Sequence, residues 1–140
     1  MYERLVYVSR AAAVITRRDT YDIIRSSHNR NSEQGLTGGL LLIDGHFVQV
    51  LEGDRLRVRA RYEAIVRDPR HTDVELRQAV LADSLVFPGE WMALRHEQDI
   101  PGELRARFGY APGLPAARFG GDTTVAFVLA CCSLPVRFAA

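Results

Sequence analysis

Two apolar runs, Leu40 to Ile43 and Phe47 to Leu51, stand on either side of Asp44-Gly45. Asp-Gly between β-prone runs is a strong hairpin signal, because both residues tolerate the positive φ of a type I′ turn. Both faces of these runs are apolar, the pattern of central strands covered on both sides. Upstream, Leu5-Val6-Tyr7-Val8 reads as a first strand, with Leu5, Tyr7 and Ser9 on one face. Arg10 to Arg18 reads as a connector. Asp19 is a plausible N-cap for a helix through Ile23, Ile24 and Ser27, expected to stop near Asn29 to Asn31, where short polar side chains compete for backbone hydrogen bonds.

After the hairpin, Asp54 can cap a second helix. Its apolar stripe is Leu56, Val58, Tyr62, Ile65 and Val66, with Arg55, Arg57, Arg59, Arg61 and Glu63 mostly outward. Pro69 pushes Asp68 out of the α region and ends it. Val74 to Leu81 and Trp91 to Leu94 read as further strands. The resulting order predicts an α+β, ferredoxin-like βαββαβ sheet with both helices on one face. From Pro101 the pattern changes: Glu103 to Phe108 is a candidate short helix, residues 109–121 are rich in Gly, Pro and Ala, and Asp122 can cap a final helix to about Leu134. The chain thus divides into a unit of residues 1–97 and a C-terminal helical extension, 98–140. Val125, Phe127, Val128 and Leu129 are expected to cover the free face of the sheet, with a homodimer interface as the alternative.

One residue does not fit the hairpin. Gln49 shares a face with Phe47 and Leu51, and an amide buried there without partners costs roughly 1 to 3 kcal/mol. Either the fold satisfies it internally, or a ligand does.

Composition removes several classes of function. Eighteen basic residues, all arginine, against seventeen acidic ones leave a net charge of +1, so no global field recruits nucleic acid or membrane. Cys131 and Cys132 are adjacent and poorly placed for a disulfide, which favours a reducing compartment. The N-terminal run is too short for a signal peptide, and a cytoplasmic protein is expected. Val125 to Cys132 is far below the roughly 20 residues needed to span a bilayer. His28, His46, His71 and His96 show no metal-ligand spacing, so no metal is expected. With no phosphate loop and no nucleophile elbow, no enzymatic activity is expected.

Tyr7, Asn31, Leu36-Thr37-Gly38, the run Phe47 to Gly53, Ile65, Asp68-Pro69-Arg70-His71 and Met92 together resemble the BLUF family of blue-light sensors, over residues 5 to 95. The resemblance implies FAD bound noncovalently between the two helices, with FMN and riboflavin as alternatives. It implies that Tyr7 is the photochemical electron and proton donor, and that Gln49 bonds both Tyr7 and the flavin edge. Asn31 would hold the ring's O4 and N3 side, Ile23 and Ile65 would wall it, and Asp68, Arg70 and His71 would meet the ribityl and phosphate side. Light would leave the Gln49 amide rotated or tautomerised, strengthen a bond to flavin O4 and move the absorption band red. Trp91 or Met92 would pass the change towards the extension, and so to a second copy of the chain or a separate effector protein. A flavin-free interaction module, with Tyr7 and Gln49 bonded to each other, is the alternative.

Two features depart from the family pattern. Trp91 lies one place late, so alternation would point it away from Met92. The residue before Ile65 is Ala64 where a basic residue is common, and Arg30 is the candidate substitute for that charge.

Overall fold

A computed structural model describes residues 1–135; the last five residues of the expected extension lie outside the described ones. The elements are β1 (Tyr2–Ala11), α1 (Arg17–Gln34), β2 (Thr37–Ile43), β3 (His46–Gly53), α2 (Arg55–Arg67), β4 (His71–Ala82), β5 (Ala93–His96), a single 3-10 turn (Glu97–Asp99), α3 (Gly102–Phe108) and α4 (Gly121–Cys132). The sheet order is β4-β1-β3-β2-β5. β2 and β5 run parallel, and the other neighbours are antiparallel. This is the expected ferredoxin-like arrangement with a fifth strand at one edge.

The hairpin forms as its turn chemistry dictates, with φ of +49° at Asp44 and +73° at Gly45. Helix α1 departs from expectation at both ends. Thr16, not Asp19, is its N-cap: the Thr16 hydroxyl accepts the Asp19 amide and the Asp19 carboxylate accepts the Thr16 amide. Asp19 therefore sits at the third helical position of a capping box. The helix also runs past Asn31 to a left-handed Gly35, because the Asn31 side chain bonds Trp91 rather than its own backbone. In α2 the expected stripe narrows to Val58, Tyr62 and Ile65, since Leu56 and Val66 are exposed. The last strand begins at Ala93 instead of Trp91, and α4 is capped by the Gly120 backbone, with Asp122 in its first turn accepting from Gln78 Nε2.

Strand alternation sorts the sheet into two cores. Leu5, Tyr7, Leu40, Phe47 and Leu51 face α1 and α2 with Ile23, Val58 and Ile65. Val6, Val8, Leu41, Val48 and Val50 face the C-terminal segment with Leu104, Phe119, Val125, Phe127 and Val128. α4 therefore covers the second face of the sheet within the same chain, and Leu129 points partly to solvent. Phe127 is the centre of this cover, fully buried, with its ring 5.3 Å from Phe108 and stacked 5.5 Å from Tyr110. Removing that ring leaves a cavity that α4 cannot collapse into, so Phe127→Ala is expected to lose about 3 to 5 kcal/mol in urea unfolding. A loss under about 1 kcal/mol, the range of a surface substitution, would contradict the packing of α4 on the sheet.

Candidate functional site

Tyr7 on β1 and Gln49 on β3 are direct cross-strand partners, and both point to the α1/α2 face. The Tyr7 hydroxyl donates to Gln49 Oε1 at 2.5 Å, and Gln49 Nε2 donates to the Met92 sulfur at 3.4 Å. All three side chains are at most 5% exposed. The amide that did not fit the hairpin is thus satisfied by its neighbours: one strong acceptor contact and one weak donor contact, since a thioether accepts poorly. Burial pushes the Tyr7 phenol far above its usual pKa, the Arg61 charge only partly opposing it, so the hydroxyl stays protonated.

Met92 reaches the site from the irregular segment before β5, while Trp91 beside it is 38% exposed. The two side chains point apart as expected, although neither residue lies in the strand. The Trp91 backbone still takes part, because its carbonyl accepts from Asn31 Nδ2 at 2.7 Å.

Beside Tyr7 and Gln49 a narrow cleft opens between the helices, partly open to solvent. Ile23 and Ser27 come from α1, Leu40 and Phe47 from the hairpin, Arg61 and Ile65 from α2, and Asp68, Arg70 and His71 from the turn into β4. At the mouth, Arg70 forms a two-pronged ion pair with Asp68, closing at 2.6 Å. That bond holds the Asp68 carboxyl down at about 2. His71 Nδ1 lies 2.8 Å from Ser9 Oγ and its ring 4.5 Å from that of Phe47. Burial lowers its pKa, so the ring is neutral at pH 7.

The structure therefore gathers Tyr7, Ile23, Gln49, Ile65, Asp68, Arg70 and His71 around one cleft, with Met92 behind Gln49. Asn31 is not among the lining residues; it is buried on α1 one helical turn after Ser27, which does line the cleft, and its Oδ1 has no hydrogen-bond partner among the described residues. Arg30 does not line the cleft; it is half-buried, and its charge acts on Arg61. Arg61 is the residue that sequence reasoning left on the solvated face. Its guanidinium lines the cleft without a hydrogen bond or salt bridge among the described residues, and burial beside Arg30 lowers its pKa. The signal was present, because Arg61 lies one helical turn before Ile65 and so on its face. The basic residue absent at position 64 is supplied three positions earlier.

Among described residues no helix is long and apolar enough to cross a membrane, and no cluster of His, Cys, Asp and Glu is arranged to hold a metal.

Comparison with protein families matches residues 2–93 to the model described as BLUF, sensors of blue-light using FAD. The photoactivated adenylate cyclase subunit beta of Euglena gracilis is 41% identical over 87 residues, 62% of this chain and 10% of that protein. The chain thus spans about a tenth of the length of the curated relatives it matches first. The dark-state structure of BlrB, a BLUF protein, is similar with a TM-score of 0.74 and 31% identity, covering 93% of each chain. The photo-activated state of BlsA has a TM-score of 0.83 over 99% of this chain and 100% of that one; at 20% identity the likeness is one of fold.

Proposed function

The chain belongs to the BLUF family, blue-light sensors that use FAD, and from that premise we propose that Tyr7, Gln49 and Met92 are its light-responsive relay. The single observation that carries this is the Gln49 amide suspended between a protonated phenol and a thioether at the wall of a cleft, with a buried, unpartnered Asn31 oxygen one turn along α1 from the lining residue Ser27. The Tyr7–Gln49 bond alone would also suit a flavin-free module with a filled core. A buried Asn31 Oδ1 with no donor, and an unpaired Arg61 in the cleft, would not, because each carries a desolvation cost that a ligand removes.

The residues fit a flavin. Ile23 and Ile65 would supply apolar walls for the ring, Asn31 Oδ1 could accept from an imide N–H, and Arg61, with Arg70, could meet a phosphate group. Once bound, the flavin supplies absorption of blue light and an electron acceptor. Tyr7 is the donor: its proton lies on the 2.5 Å bond to Gln49 Oε1 and can move only along it. In the orientation described, Gln49 satisfies both neighbours. Turned over, its oxygen would face a sulfur that has no hydrogen to give, and its NH₂ would face the phenol. The described orientation is therefore the resting one, and a rearranged amide relaxes back to it in the dark. Residues 1–97 act as the sensor unit and the extension from residue 98 caps it through its described helices, through which the response reaches a second copy or a separate effector.

The finer reading is that the flavin is FAD, because the free cation at the cleft suits a diphosphate. Flavin released by denaturation and separated by chromatography is expected to be FAD. Arg61→Ala is expected to weaken FAD about tenfold, the loss of one charge-assisted contact, and riboflavin hardly at all. Equal weakening of the two would contradict a phosphate role for Arg61.

A further inference from the structure

On the side of β3 opposite the cleft lies a second buried polar group. Glu52 is 1% exposed, three residues after Gln49 on the same strand. Its carboxylate accepts the Val86 amide at 2.8 and 3.0 Å, the Phe87 amide at 2.8 Å and Arg4 Nε at 3.3 Å. Val86 and Phe87 belong to the irregular segment between β4 and β5, so no strand partner satisfies these amides. The Phe87 ring lies over Gly39 against the end of α4, where even a Cβ on Gly39 would come within 2.9 Å of the ring and 3.0 Å of Cys132 Sγ. The segment then turns, with the Glu90 amide on the Phe87 carbonyl at 3.2 Å, and docks on β2 through the Gly38 amide and the Glu90 carbonyl at 3.0 Å. The next two residues are Trp91, whose carbonyl holds Asn31, and Met92, whose sulfur holds Gln49. One stretch of seven residues thus begins under a carboxylate of β3 and ends on an amide of β3, touching α4 on the way.

We propose that Glu52 is a positioning residue for the light response: by gripping the Val86 and Phe87 amides it fixes where the Met92 sulfur stands against Gln49. The proposal rests on the relay of Tyr7, Gln49 and Met92. Glu52→Gln is the informative variant, since it keeps the size of the side chain but replaces one acceptor oxygen with an NH₂ that faces only donors. Loss of its grip leaves Met92 free to leave Gln49 and removes a contact made in the resting orientation alone.

The test is the dark-recovery rate of the full flavin-bound chain after a blue pulse, in the wild type, Glu52→Gln, Met92→Leu and the double variant. Each single variant is expected to change the rate about tenfold, the equivalent of one hydrogen bond. The double variant is expected to recover within about twofold of Met92→Leu alone, because Glu52 acts through Met92. A Glu52→Gln rate equal to wild type, or two effects that multiply independently, would overturn the proposal. If Glu52→Gln does not fold, amide hydrogen exchange of the wild type decides: Val86 and Phe87 are expected to exchange as slowly as the amides of β3, and exchange at the rate of an open loop overturns the clamp. A wild-type protein that binds flavin and shows no light response overturns the relay itself, whatever the exchange shows.

Discussion

In Gln49→Leu the reversible red shift under blue light is expected to vanish from the flavin-bound protein. Leucine fills nearly the same volume on the buried face of β3, so Phe47, Leu40 and Leu51 keep their packing while every hydrogen bond of the amide is removed. Gln49 is the group that joins Tyr7 to Met92 at the cleft, because its two ends have opposite character: Oε1 can only accept and Nε2 can only donate. No neighbour can take over both bonds. The cost in stability is set by the Tyr7 hydroxyl, left buried without an acceptor, and is expected to be about 1 to 3 kcal/mol by denaturant titration. A Gln49→Leu protein with a full-sized shift would remove the amide from the mechanism and leave the Tyr7 bond as a core contact.

Tyr7→Phe is expected to abolish the same shift by a different route and to brighten flavin emission. The ring stays in place, packed 5.9 Å from Tyr62 and 6.0 Å from His71, so the cleft keeps its shape. What is lost is the hydroxyl, which burial keeps protonated and which sits on Gln49 Oε1. Phenylalanine is a far poorer electron donor and has no proton to give. An excited flavin that can no longer be quenched through residue 7 emits instead. The two variants are separable: Gln49→Leu keeps the donor and loses the amide, whereas Tyr7→Phe keeps the amide and loses the donor. A Tyr7→Phe protein with wild-type emission and a wild-type shift would place the donor elsewhere, with Tyr62, on α2 beside Tyr7, the next side chain to test.

Much of this was legible in the sequence where a local rule acts alone. The hairpin followed from Asp44-Gly45, whose backbone preference nothing in the fold opposes. Gln49 was conspicuous because a buried amide has to be accounted for. Local rules failed where two of them overlapped: Thr16 and Asp19 both suit a cap, and only the reciprocal bonds show which residue is the N-cap and which the third helical position. Asn31 suggested a helix end, yet its side chain is engaged 60 residues away, which releases the backbone to continue. Arginines on an amphipathic helix usually face solvent, and only the spacing from Ile65 marks Arg61 as lying on the cleft face. Glu52 carries no local signal of its own; its partners lie 34 and 35 residues away, in a segment with no periodic pattern. Contacts of that range depend on how the β4–β5 segment folds over the sheet edge, which no local pattern encodes.

The measurement that bears most directly on the whole account is the absorption spectrum of the purified, flavin-bound protein before, during and after blue illumination. A flavin band that moves several nanometres to the red in the light and returns in the dark is the predicted result. A flavin band that bleaches or does not move, in protein whose cleft is filled, would contradict the relay of Tyr7, Gln49 and Met92.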